Sequence, residues 1–443
     1  MSARDGTPIA YLNDDCLLHI FEFTSIQDKL NIELVCKRWQ RVCESAWKKV
    51  NIFHPCSDEF GFSVPENDLG PEAHWVLPAV IIDVPICQRV FENCHHHLKK
   101  ISLSRIENLE ITTLMDVWHY CSMNNFYEWT RAGTLDELKN LLLECEKVEE
   151  LWLCRCVVNV DDVFLGKLFA KNRNLKKLVL IELKLTGECF SQLSSDVLES
   201  LVLFECIISQ PEYLNATISS ASKLQILSLN CNGKDPFTHE TVTSPTSEHN
   251  LLGMNDTGEY DIRNSLLLPI CKLKNLTILS LRHSEVDDLM LETISLACLN
   301  VKVLDIELCG EVTNDGLQYT QSMPKLKCLN ISLNEELSDA GLLTVNKNLE
   351  IFRMSQANIS ERALLTLLWE MKNLKALDVS NCLQLSNRFV ELAIQIVKLR
   401  KEKIPLKIGL SGPNVNIDTV KNVCPLIQLS TWFTVDYQIY CSA

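Results

Sequence analysis

The sequence predicts an α/β architecture: a small helical segment, then a solenoid whose short parallel strands form a curved inner sheet and whose helices lie outside. Three observations carry that prediction. Apolar residues recur in an L-x-x-L-x-L frame whose first positions fall at 276, 301, 326, 349 and 374, a repeat of 23 to 25 residues. A Cys or Asn follows the strand-like run, at Cys156, Cys206, Asn232, Cys309, Asn334 and Cys382, and a helix-start signal comes next. Residues 9–50 obey neither rule and read as short helices.

Length alone would suggest about three globules at ~150 residues each. A repeat core grows along one axis, so the 443 residues measure a number of stacked units instead. Apolar content of 47% and charged content of 22% exclude wholesale disorder. The net charge of −15 disfavours broad binding to nucleic acid or to an anionic membrane surface. The start, with Asn13, Asp14 and Asp15 close behind Ile9–Leu12, is too short and too soon charged for a secretory signal core. The apolar run from Leu77 to Ile86 is broken by Pro78, Asp83 and Pro85, so no membrane span is expected. The twenty cysteines then read as reduced thiols, and the chain as cytoplasmic, nuclear or both. With two residues after Cys441, a prenylation box is not expected.

In the repeat, alternation sends the third and fifth offsets, such as Leu279 and Leu281, into a core beneath the strand and their neighbours to the other face. At the turn an Asn satisfies backbone groups and a Cys packs as a small hydrophobe. Val286-Asp287-Asp288-Leu289, Val312-Thr313-Asn314-Asp315-Gly316-Leu317 and Leu337-Ser338-Asp339-Ala340-Gly341-Leu342 supply cap residues before a helical pattern. This spacing is the leucine-rich-repeat period.

Earlier units start at Leu98, Val148, Leu175, Leu198 and Leu224, with a degenerate one midway in the first gap, where Glu128 replaces the leucine after Met123 and Phe126. Trp47–Ile52 and Leu77–Ile82 look like poor first units, Ile408–Leu410 like a weak strand near the other end, and Trp432–Tyr440 like a C-terminal cap. Residues 233–261 hold one Lys against six Asp and Glu, a net −5, and form an acidic insertion between strand and helix. It reads either as a tolerated surface loop or as a lid at the edge of the inner face. The domains expected are thus residues 9–50 and a solenoid over 51–443.

The N-terminal helices are expected at Asp14–Phe23, Asp28–Lys37 and Arg38–Val50, with Asn13 as a cap. The first is apolar around most of its circumference, which calls for an outside partner. The run Leu12-Asn13-Asp14-Asp15-Cys16-Leu17-Leu18-His19-Ile20-Phe21, then Leu30, Val35-Cys36-Lys37-Arg38-Trp39 and Trp47, resembles the F-box motif of adaptor subunits in cullin–RING ubiquitin ligases. Asn13, Cys16 and Thr24 stand where that family usually has Pro, Leu and Leu. With repeats following at once, the whole chain resembles the F-box/leucine-rich-repeat family. The resemblance implies a non-catalytic substrate receptor, docking a Skp-type adaptor through Leu12, Leu17, Leu18, Ile20, Phe21 and Val35, with Trp39 and Trp47 stabilising the module. Its solenoid would hold a target protein for ubiquitination and proteasomal degradation. The alternative is a repeat scaffold whose helical N-terminus is only a cap, with no ubiquitin role.

Alternation also nominates a target surface. Tyr127, Trp129, Trp152, Val179, Ile181, Val202 and Phe204 should face outward in the early units, whereas Arg282, Asp305, Glu307 and Arg353 lie on the same face later. A protein ligand would set an apolar anchor on Trp152 and Phe204 and a charged flank on the later four; alternatively, the chain's own loop or tail covers the apolar stretch. No cofactor or metal is expected. Cys87, Cys94 and His95–His97 lack the spaced pairs of a zinc site, Cys154 and Cys156 face opposite ways, and no phosphate loop, nucleophile elbow or H-E-x-x-H run occurs. The basic run Lys398–Lys403 reads as a helix end.

Overall fold

The computed structural model describes residues 9–54, 84–103, 139–155, 158–230, 268–284, 286–410, 415 and 424–430. Tyr127, Trp129, the degenerate unit at 123–128, Cys156, Asn232, the insertion 233–261, Leu77–Ile82 and Trp432–Tyr440 lie outside the described residues. The chain divides into two compact units; the first takes in Met1–Asn108 and Cys121–Ile181, the second most of the chain beyond Ile181.

The first unit opens with α1 (Asp14–Glu22), α2 (Ile26–Ile32) and α3 (Lys37–Trp47), then β1 (Ile52–Phe53), α4 (Val84–Cys94), β2 (Lys100–Leu103), α5 (Lys139–Leu142), β3 (Glu150–Cys154), α6 (Asp162–Lys171) and β4 (Lys177–Ile181). Its four strands pair in parallel and in chain order. Asn13 caps α1, its Oδ1 accepting the Cys16 N–H at 2.8 Å, and Ser25 caps α2. The second helix was expected to run on to Lys37 but stops at Ile32. Cys36 instead caps a new helix, its Sγ accepting the Trp39 N–H at 3.5 Å. Glu33, at that break, accepts from Trp47 Nε1 at 2.5 Å and Arg89 Nη2 at 2.7 Å, which ties α2, α3 and α4 together.

The second unit holds β5 (Lys184–Leu185), β6 (Ser200–Phe204), β7 (Ile207–Ile208), α7 (Pro211–Ser220), β8 (Ile226–Asn230), β9 (Ile278–Ser280), α8 (Asp288–Ala297) and β10 (Val303–Asp305). It continues with α9 (Asn314–Leu317), β11 (Cys328–Asn330), α10 (Asp339–Thr344), β12 (Ile351–Arg353), α11 (Glu361–Glu370), β13 (Ala376–Asp378), α12 (Asn387–Leu399), β14 (Leu406–Gly409) and β15 (Ile427–Ser430). β6 and β8 to β15 form a parallel sheet in chain order, with β5 and β7 as a separate pair. The helices make the second layer, each packing on its neighbour from α8 to α12. This is the repeat architecture expected: Leu279 and Leu281 and their counterparts are buried beneath the strands. In both units the starts from Leu98 to Leu374 within the described residues are each followed two residues later by a strand, from Lys100 to Ala376. The poor first unit expected at Trp47 is out of frame, because Trp47 ends α3 and β1 begins only at Ile52. No helix among the described residues is long and apolar enough to cross a membrane.

Three ladders fix the repeat length in this unit. Two residues past the inner pair the chain turns through a left-handed residue, at Glu182, Glu205, His283, Leu308, Leu333, Gln356 and Asn381. There the N–H reaches the next unit: His283 donates to the Glu307 carbonyl and Leu308 to Ser332, both at 3.0 Å. At the turn Cys309 Sγ donates to the Leu281 carbonyl at 3.1 Å, and Asn334 Nδ2 donates to that of Ile306 at 2.9 Å. At the helix starts, Asp288 accepts from Thr313 N and Oγ1, Asn314 from Ser338 N, and Asp339 from Ser360 N and Oγ.

That third ladder explains Gly316. A Cβ there would overlap the Asp288 carboxylate that holds Thr313. Gly316→Ala should therefore lower stability by ~1–3 kcal/mol by overpacking, against the ~0.5–1 kcal/mol gain of an ordinary helical Gly→Ala change. Urea denaturation decides between them, and adding Asp288→Ala should recover part of the loss.

Candidate functional site

The three N-terminal helices are too short to bury all their apolar residues. Leu17, Phe21, Leu30, Val42, Cys43, Ala46 and Trp47 form the interior, and Phe21 packs on Trp39 with ring centroids 5.2 Å apart. Leu17 and Phe21, expected on the adaptor surface, are 0% and 1% exposed. The correction is one of angle: on a nine-residue helix that packs on α3, they face inward.

The outward set is Ile20 at 41%, Val35 at 59%, Tyr11 at 78%, Phe23 at 79% and Leu34 at 72% exposed. Leu12, Leu18 and Trp39 are half-buried. Tyr11, Phe23 and Leu34 escaped the sequence reading because they sit at the ends of the helices, where apolar periodicity gives no signal. Arg38 keeps the surface in shape, its Nε bonding Asp14 Oδ1 at 2.8 Å and its Nη2 the Leu12 carbonyl at 2.5 Å. Full burial of one such large side chain contributes ~1.5–3 kcal/mol, a gain these five leave unused on the helical surface.

The strand faces differ from expectation. In the first unit Trp152 and Ile181 are buried, and Lys100 Nζ lies 5.8 Å from the Trp152 ring centroid. In the second unit Phe204 is half-buried, while Arg282, Asp305, Glu307 and Arg353, expected as an open charged flank, are 0–3% exposed. Alternation places them on the predicted side, but charges on adjacent strands meet and pair there. Arg282 Nε bonds Asp305 Oδ2 at 2.7 Å and its Nη2 lies 3.0 Å from Glu307 Oε2. Asn330 Nδ2 donates to Glu307 Oε2 at 2.7 Å, and Arg353 Nε lies 3.5 Å from Asp378 Oδ2. Burial pushes the Asp305 carboxyl up, with Arg282 opposing and Glu307 adding.

Beside this polar row runs an apolar one that the sequence reading missed: Ile226, Ile278, Val303, Cys328, Ile351 and Ala376, cross-strand neighbours in register. Its signal was present, since each residue immediately precedes an inner leucine or phenylalanine.

Cys94 is buried, and burial pushes its thiol up to about 12. His95 Nδ1 lies 3.1 Å from the Phe91 carbonyl. The turn thiols behave alike: burial takes Cys206 and Cys309 to about 12.

Fold and surface together define an α/β repeat protein with a compact helical N-terminus that exposes apolar side chains. Residues 12–52 of that N-terminus match the F-box-like family. A search of curated proteins finds no match. Among solved structures the chain is similar to one in the crystal structure of the Rad7 and Elc1 complex in yeast, at 12% identity over 72% of this chain and 90% of that one, with a TM-score of 0.34. It is also similar to one in the crystal structure of a TLR13–ssRNA13 complex, at 17% identity over 69% of this chain and 42% of that one, with a TM-score of 0.35.

Proposed function

We propose that this chain is a non-catalytic substrate receptor of a Skp–cullin–F-box type ubiquitin ligase, acting in the cytoplasm, the nucleus or both. The F-box-like match over residues 12–52 carries the reading. The exposed Ile20, Phe23, Leu34 and Val35 supply the surface for a Skp-type adaptor, with Leu12, Leu18 and Trp39 at its edges. Leu17 and Phe21 act from beneath, by holding α1 on α3. The repeat units would take the target protein and present it to a ubiquitin-loaded enzyme, so the chain contributes proximity and orientation.

Co-purification with a Skp-type adaptor tests this. The unmodified chain should hold the adaptor through gel filtration, and Ile20→Asp with Val35→Asp should release it while circular dichroism stays unchanged. Leu17→Asp should instead disrupt the helical unit itself. A folded chain that fails to hold the adaptor would sink the receptor reading and leave the scaffold.

A further inference from the structure

On the outer side of the second unit, α11 and α12 border an open groove of about 670 Å3. Arg362, Leu365, Thr366 and Trp369 line it from α11, and Arg388 and Leu392 from α12. The α11 residues are spaced i, i+3, i+4 and i+7, which is one stripe of a helix. The groove is graded in polarity. Both arginines are the second residue of their helix, and Trp369, 58% exposed, lies two turns further along α11.

Its charge balance is distinctive. Among the described residues neither guanidinium has an ion-pair partner, whereas Lys327 and Lys375 are matched with Glu350, and Lys347 with Glu370, elsewhere on this unit; Lys372, Lys398 and Lys401 share the arginines' state. Glu361, the acid on the rim, is engaged by the Ser386 hydroxyl at 2.9 Å. In a chain of net charge −15, two unmatched arginines facing one groove are out of character. An anionic group held by both arginines gains charge-assisted hydrogen bonds near the positive ends of two helices.

We propose that this groove binds an acidic peptide segment of a partner protein, placing an Asp or Glu on Arg362 and Arg388 and an apolar side chain against Trp369, Leu365 and Leu392. A nucleic acid suits it poorly, because the chain's overall charge repels a polyanion and a phosphate backbone leaves the apolar end unfilled. The seven-residue span from Arg362 to Trp369 is ~10 Å at ~1.5 Å per helical residue. A ligand in polyproline II conformation rises ~3.1 Å per residue with three residues per turn, so side chains spaced i, i+3 share a face and span ~9 Å. This site is independent of the adaptor reading and stands whether or not the N-terminal helices dock a Skp-type protein.

The experiment is selection from a random nonapeptide display library on the full chain, followed by fluorescence anisotropy of the enriched peptides. Expected is a family with Asp or Glu three residues from Leu, Phe or Trp, weakened about tenfold or more by Arg362→Glu with Arg388→Glu, by Trp369→Ala, and by raised salt. All three positions are solvent-facing, and circular dichroism confirms that the variants fold. Enrichment of peptides without acids, binding indifferent to the arginine reversal, or no enrichment overturns the proposal. So does full competition by a synthetic peptide of residues 233–261, which would assign the groove to this chain's own acidic stretch.

Discussion

Arg282→Met is expected to destabilise the second unit by about 3–5 kcal/mol, the range for breaking a buried ion pair from one side. Asp305 and Glu307 would remain, fully buried, with their shared cation gone. The penalty is the desolvated charge left behind more than the lost bond. A triple variant, Arg282→Met with Asp305→Asn and Glu307→Gln, should recover most of the loss. The urea midpoint, followed by far-ultraviolet circular dichroism, reads both. The single variant should also suffer less at pH 5 than at pH 8, because its carboxyls can take up protons. Equal loss in the single and triple variants would mean that packing by the arginine stem, not charge, is what matters.

The second large effect is acid sensitivity centred on His283. Burial pushes its imidazole down from 6.5 to about 4, with Glu307 opposing and Arg282 reinforcing. The folded chain therefore keeps His283 neutral where the unfolded chain protonates it. Its contribution to stability is complete above pH 6.5 and is lost as pH falls toward about 4. At ~1.36 kcal/mol per pH unit the loss is on the order of 3 kcal/mol. Asp305 works in the opposite sense, since its raised carboxyl binds a proton in the folded state first. The clean measurement is thus the difference between the unmodified chain and His283→Asn, as Asn tolerates the left-handed backbone at this position. Denaturation midpoints from pH 7 to pH 4.5 should diverge, with the variant flatter. Parallel curves would rule out the histidine.

The period of the repeat was legible because it is written redundantly. Leu276, Leu279 and Leu281 mark the strand, the Cys or Asn position marks the turn, and Thr313 or Ser338 marks the helix start. Each signal alone is weak, but their spacing leaves one register. The binding surfaces were less legible, and the reason is geometric. Alternation says which side Arg282 or Trp152 takes; it does not say whether that side is open, and the cross-strand pairs of Asp305 and Glu307 depend on register between residues far apart in sequence. The N-terminal surface failed in a different way. Leu17 and Ile20 look equivalent in the motif, and only the angle at which α1 lies on α3 separates the one that is buried from the one that is offered. The groove on α11 and α12 was missed because its residues belong to two different repeats, and each set alone reads as an ordinary helix face.

The left-handed turns bear on how such a chain can be divided. Residues such as Leu308, Leu333 and Gln356 each hold a conformation that costs a non-glycine residue on the order of 1 kcal/mol or more. In each case the offsetting hydrogen bond goes to the following repeat. A repeat excised from the stack would keep the strain and lose the bond, so no single repeat is a folding unit. Truncation should accordingly proceed by collapse of neighbours in sequence, with the last intact strand always lacking the partner its turn requires. Deletion variants that stop in mid-stack are then best read as probes of nearest-neighbour coupling rather than as smaller versions of the protein.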